Sequence, residues 1–314
     1  MIRTVRATAL TALSCAVAGT GLTGCSVASD VGSALQEVRT DVESAAEEVV
    51  ADGEPTEGET FTGAATLDVD GAAVRVSCSG IPPHDRPIVV LMAGLGDGLD
   101  TMADLQETLS ETDRVCSYDR LGEGGSDRPD GPQTLADAGD VLTAVLDHIA
   151  VDHPVVLAGH SLGGLIAARY APDHQDRVAG LVLMDATSPT MRDDITGAIP
   201  ESATGPGAQV RAENLAVFEG ENPENLTIVS DPDVRSAGDI PVEVVQHGVP
   251  YLEEIPEYGG DLERAWADGQ EKWLDLSSRS VLGTAEESGH YIHVDRPDVA
   301  AEAIRRVTEQ AATT

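Results

Sequence analysis

Beyond residue 61 the chain alternates short apolar runs with segments whose apolar residues recur every three or four positions. Val155-Val156-Leu157-Ala158 and Leu181-Val182-Leu183-Met184 are continuous apolar runs of strand length, the pattern of strands buried on both faces of a parallel sheet. Strands are predicted over Gly63–Val69, Ala73–Ser77, Pro87–Met92, Arg114–Tyr118, Pro154–Ala158, Gly180–Met184, Pro241–Gln246 and Ser278–Gly283. Asp70-Gly71 joins the first two in a hairpin signal, so the sheet is expected to begin antiparallel. Met102, Leu105 and Leu109 share one helical face, and Leu135, Leu142, Val145, Leu146 and Ile149 make a second stripe. A third helix follows Ser161, and a fourth starts at Pro297, a residue suited to a first helical turn, and carries Val299, Ile304 and Val307. This alternation predicts an α/β fold: a mostly parallel eight-stranded sheet flanked by helices, in one domain over residues 61–314. Residues 186–238 show no sheet pattern and include Ser188-Pro189, Gly205-Pro206-Gly207 and a helix-like segment over 211–218. They are expected to form a small cap after the sixth strand.

The N-terminus has a different pattern. Arg3 and Arg6 precede an apolar run from Ala7 to Leu22, too short for a comfortable membrane span, which predicts a secretory signal over residues 1–24. Leu22-Thr23-Gly24-Cys25 resembles the bacterial lipobox, which implies acylation of Cys25 on its sulfur. Residues 25–60 then read as a stalk. Val31, Leu35, Val38, Val42 and Ala45 lie at helical spacing among acids, and a polar, breaker-rich run follows over 51–60, so this segment is an amphipathic helix or a disordered tether. The expected location is extracytoplasmic, with the chain lipid-anchored through Cys25 to a bacterial cell membrane.

Composition sharpens that picture. A formal charge of −36 makes nucleic acid an improbable partner and leaves a surface that tolerates salt. Of four cysteines, Cys15 and Cys25 belong to the export segment, so the folded part keeps Cys78 and Cys116. Outside the cytosol that pair should oxidise; two buried free thiols are the alternative.

The chemistry-bearing motif is Gly159-His160-Ser161-Leu162-Gly163, which follows an apolar strand and opens a helical stretch. A serine on a sharp strand-to-helix turn exposes its hydroxyl, and glycines two residues away on either side remove side chains that would collide there. A serine hydroxyl becomes a useful nucleophile when a base takes its proton. His290, in Ser288-Gly289-His290 after the last strand, is the expected base. His160, beside the serine, is expected to shape the turn, and His293 to be a hydrogen-bonded structural histidine. No cofactor is required.

From about Phe61 the domain resembles the α/β-hydrolase fold superfamily, specifically secreted serine hydrolases of actinobacterial type. Leu91-Met92-Ala93-Gly94-Leu95-Gly96 is similar to the loop that supplies an oxyanion donor, and Tyr118-Asp119-Arg120-Leu121-Gly122 to the loop after the fourth strand. Ala93 departs from the usual histidine before the glycine, which removes a side chain that braces that loop. The resemblance implies a chain order of Ser, acid, His. The acid usually follows the seventh strand, yet residues 246–250 contain no carboxylate. Asp185, ending the sixth strand, is the expected acid, with Glu253 or Glu254 as the alternative. The oxyanion donors would be the backbone amides of Leu95 and Leu162, and Asp119 and Arg120 structural loop residues. The second and fourth strands are neighbours in this superfamily, which implies a bridge between Cys78 and Cys116. The implied activity is hydrolysis of a carboxylic ester through an acyl-enzyme, on a small-molecule acyl ester substrate. A peptidase, a lyase on the same fold, or a catalytically idle envelope-binding module are the rival readings. A serine at the elbow argues against dehalogenases and epoxide hydrolases, which use aspartate there.

Overall fold

Residues 61–81 and 85–313 are described by the computed structural model. The expected signal segment, the expected acylation site Cys25 and the expected stalk over 25–60 lie outside the described residues. Strands β1 (Gly63–Val69) and β2 (Ala72–Gly80) form the expected antiparallel hairpin. Asp70 and Gly71 take φ of 53° and 90°, the two left-handed residues that a tight turn matched to strand twist needs.

The chain continues through β3 (Ile88–Met92), α1 (Ala103–Ser110), β4 (Arg114–Tyr118), α2 (Leu135–Ile149), β5 (Val155–His160), α3 (Leu162–Tyr170) and β6 (Val178–Met184). Two cap helices follow, α4 (Met191–Ala198) and α5 (Gly205–Phe218), then β7 (Pro241–His247), α6 (Gly259–Lys272), β8 (Arg279–Ala285) and α7 (Pro297–Ala311). The strand order is β1-β2-β4-β3-β5-β6-β7-β8. All pairings from β4-β3 onward are parallel, whereas β2 runs antiparallel to both its neighbours.

Two departures from the sequence reading have simple causes. Strand β2 continues past Ser77 to Gly80 because Val76 to Gly80 pair with β4, so Cys78 lies inside the strand. There it faces Cys116 in register, and the two are joined in a disulfide with a Cα–Cα separation of 4.1 Å. Helix α6 is the second departure, a helix with no continuous apolar stripe in its sequence, because its Glu263 serves the polar site at His247.

One core layer sits between the sheet and the paired helices α1 and α7: Met102, Leu105, Leu109, Ile304 and Val307 cover Val89, Leu91, Val156 and Val182. Side chains alternate along a strand, so the buried Val90, Leu157 and Leu183 point to the opposite face. A sheet apolar on both faces reads as continuous runs, and β3, β4 and β5 are buried at every position. Burial on this scale fixes the carboxyl ends of β3, β5, β6 and β7 relative to one another. That edge is where an open parallel sheet presents its loops, and the candidate residues gather there.

Candidate active site

Ser161 follows β5 with φ 49° and ψ −117°, a conformation costly for a residue with a side chain. The backbone around it is crowded. A Cβ on Gly159 would come within 2.5 Å of the Gly163 backbone, and one on Gly163 within 2.4 Å of the Met92 carbonyl. Only glycine fits at either position, which is why the motif needs both. The Ser161 N–H donates to the Met184 carbonyl at 3.2 Å, and its carbonyl accepts from Thr187 N–H at 3.1 Å. These bonds pin the turn against the end of β6. The N-terminus of α3 starts at Leu162, whose N–H, in the first helical turn, has no carbonyl of its own helix to reach.

Asp185, directly after β6, is also left-handed, with φ 46°, and its side chain is fully buried. Its Oδ2 accepts from His290 Nδ1 at 2.7 Å. The structure thus brings Asp185 and His290 into contact, across 105 residues of sequence. Glu253 and Glu254 are exposed at the surface. Among the described residues neither is hydrogen-bonded or ion-paired to His290, whose Nδ1 is taken by Asp185.

Asp185 has more partners than the sequence reading assigned. His247, the last residue of β7, donates from Nδ1 to both Asp185 oxygens at 2.9 Å and from its backbone N–H to Oδ1 at 3.1 Å. Trp266 Nε1 donates to Oδ1 at 2.9 Å. The other ring nitrogen of His247 bonds Glu263 on α6. Burial alone would lift the Asp185 carboxyl, but the bonds and charge from His247 and His290 outweigh it and hold it at about 2. Burial likewise works against a charged His247, yet Asp185 and Glu263 on either side push it up to about 9. At neutral pH Asp185 is therefore a carboxylate and His247 an imidazolium. An ionised carboxylate only accepts, so His290 carries its proton on Nδ1 and leaves Nε2 open.

His160 behaves as expected of a turn-shaping residue. Its Nε2 donates to the His290 carbonyl at 3.0 Å, and its ring stacks obliquely 4.6 Å from that of His290. Burial, together with His290 and His293 nearby, keeps it far below the usual imidazole range and hence neutral. His293 departs from expectation: it is buried, but neither ring nitrogen has a hydrogen-bond partner among the described residues. Its ring packs edge-on to His160 at 4.7 Å, and burial drives it down to about 4, so it acts as an apolar wedge.

The loop after β3 has a brace in place of the missing histidine. Arg120 donates to the carbonyls of Ala93 and Gly94 at 2.6 and 2.8 Å, and pairs with buried Glu224 at 2.7 Å. In a trans peptide the C=O and N–H point in opposite directions. Capture of the Gly94 carbonyl therefore turns the Leu95 N–H away from Arg120. Glu123 accepts from Gly96 N–H at 2.7 Å and completes the clamp. Asp119 accepts from Leu99 and Gly125 N–H at 2.5 and 2.7 Å, the structural role expected of it. Among the described residues no cluster of three or more His, Cys, Asp or Glu is arranged to hold a metal ion.

Comparison with known proteins agrees with this architecture. A family model described as alpha/beta hydrolase fold matches residues 87–203. The putative carbamate hydrolase RutD of Caulobacter sp. (strain K31) is 35% identical over 121 residues, 38% of this chain and 44% of that protein, so the match spans under half of the relative's length. The protein YqjL of Bacillus subtilis is 26% identical over 239 residues, covering 74% of this chain and 87% of its own. Among solved structures, a thermophilic esterase from Thermogutta terrifontis superposes with a TM-score of 0.56 at 18% identity, over 79% of this chain and 99% of that one.

Proposed function

The chain has the α/β-hydrolase fold, and from that premise we propose that it is a serine hydrolase that cleaves carboxylic esters through an acyl-enzyme. The observation that carries the reading is the 2.7 Å bond between Asp185 and His290, joined to a serine in a strained elbow through its neighbour His160, which bonds the His290 carbonyl. Strain at a functional turn is retained when the surrounding structure imposes it, and here both Ser161 and Asp185 hold left-handed backbone.

In this reading Ser161 Oγ attacks the ester carbonyl as His290 Nε2 takes its proton. The carbonyl electron pair moves onto oxygen, which the N–H groups of Leu95 and Leu162 stabilise. Asp185 holds the tautomer of His290 and offsets the imidazolium charge that forms. Collapse expels the alcohol, protonated by His290, and leaves Ser161 acylated. Water, deprotonated by His290, then releases the acid and restores Ser161. The cap helices α4 and α5 follow β6 in the chain and are the expected source of acyl selectivity. The names of the relatives, a carbamate hydrolase and an esterase, support hydrolysis of an acyl bond. The Cys78–Cys116 bridge supports residence outside the reducing cytosol, consistent with the signal and lipobox reading.

A fluorophosphonate probe tests the proposal. It should label the wild-type chain on Ser161 and leave Ser161→Ala unlabelled, with turnover of short acyl esters lost in parallel. Wild-type protein that folds but takes no label would overturn it.

A further inference from the structure

We infer that His247, held between Glu263 and Asp185, is a positioning residue for the proposed reaction, fixing the Asp185 carboxylate and setting the net charge that His290 faces. The inference rests on the Ser161, His290, Asp185 reading above and extends it to a second histidine and a third acidic group.

The first argument is geometric. A carboxylate between two imidazoles needs something to decide which oxygen serves which ring. The His247 backbone N–H and Trp266 Nε1 both donate to Oδ1, at 3.1 and 2.9 Å, and the His247 ring is shared between the two oxygens, so Oδ2 carries the fewer of these donors and faces His290 at 2.7 Å. His247 also donates from its ring, so two of the groups that orient Asp185 come from one residue. Glu263 fixes the far side of that ring and accepts from Leu252 N–H at 3.1 Å, which ties α6 to the loop after β7. Where the resemblance expects an acid after the seventh strand, this chain places an imidazole with a carboxylate behind it.

The second argument is charge. The groups facing His247 are Asp185 from the end of β6, Glu263 from α6, and the Tyr251 ring at 4.8 Å from the turn after β7; His290 lies beyond Asp185. Burial and Asp185 keep the Tyr251 hydroxyl neutral. Two carboxylates with one imidazolium between them leave a single net negative charge, the same as a lone aspartate would present. Without the His247 charge, His290 would face the buried Asp185 and the partly buried Glu263 with no cation between them, in addition to Asp97 nearby. Its protonated, inactive form would then be favoured.

Two substitutions separate charge from packing. His247→Asn keeps a donor near the Nδ1 position and removes the cation. The acid limb of the fluorophosphonate labelling rate should move to higher pH by about one unit, a roughly tenfold loss at a fixed pH below the limb. Adding Glu263→Gln removes the exposed excess charge, and the limb of the double variant should return to within about 0.3 unit of wild type. A purely structural role predicts rates lowered equally at every pH with the limb unmoved, and that result overturns the inference. Should His247→Asn fail to fold, Glu263→Gln alone decides, because loss of one carboxylate must shift the limb to lower pH; no shift, or the opposite one, overturns it. Wild-type chain that never labels refutes the hydrolase reading and this inference together, whereas normal wild-type labelling with unmoved limbs refutes this inference alone.

Discussion

Arg120 touches no reacting atom in the proposed mechanism, yet it sets the direction of a backbone amide that does. Its guanidinium covers two carbonyls, Ala93 and Gly94, and still reaches Glu224. A lysine keeps the charge but has no planar fork, so it can satisfy only part of that set. In Arg120→Lys we expect kcat to fall about 10- to 100-fold with KM little changed, because a misdirected oxyanion donor is missed chiefly in the transition state. Steady-state kinetics on a short acyl ester check this, and a kcat within twofold of wild type would show that the loop holds itself. The same residue marks the limit of the sequence. Ser161, His290 and Asp185 are the candidates that the sequence offers because their chemistry marks them, and the latter two meet in the structure. Arg120 was legible only as a loop residue, since its target is main chain and main chain carries no side-chain signal. His247 carries no such signal because the resemblance expects a carboxylate at the end of the seventh strand, and this chain has there an imidazole that binds one.

At the scale of elements, legibility followed how apolar each buried face is. Strand β4 was bounded correctly from sequence because all five of its residues are buried. Helix α6 went unseen: only Leu262 and Trp266 carry large apolar side chains on its buried face, and Gln270 there donates to the Ala186 carbonyl at 2.7 Å. Glu263 on the same helix points at His247. A helix built to serve a polar site shows a broken apolar stripe, and periodicity cannot find it. The hairpin half of the sheet carries a different device. Cys78 and Cys116 tie β2 to β4 across 38 residues, and closing a loop of that size in the unfolded chain contributes about 4 kcal/mol in the chain-entropy account. Cys78→Ala/Cys116→Ala should lower the free energy of unfolding by about 2–5 kcal/mol in urea titration. Thiol mapping of chain isolated from its own host should find neither cysteine free. Two free thiols there would deny the bridge.

For the whole molecule the deciding quantity is the imbalance of 55 acidic against 19 basic side chains. Salt acts on such a surface in two opposed ways. It weakens exposed ion pairs such as Arg235 with Asp173 and Arg177 with Asp147. Exposed pairs of this kind add little to stability, and the supply of cations limits their number. It also screens repulsion among the carboxylates left over, which outnumber those that any cation can pair. Screening length shrinks from about 10 Å at 0.1 M to about 3 Å at 1 M, so repulsion across the surface is largely removed in that range. The buried Arg120–Glu224 pair and the Asp185 network lie beneath this screening and should barely respond. Repulsion is the larger effect, and stability should rise with salt. The melting temperature is expected to increase by several degrees between 0.1 and 1 M sodium chloride, since about 1 kcal/mol moves a domain of this size by roughly 2–4 °C. Sodium chloride is chosen over sulfate because sulfate strengthens apolar burial on its own account. A melting temperature that falls with sodium chloride would mean that the ion pairs, and not the unpaired acids, govern the surface.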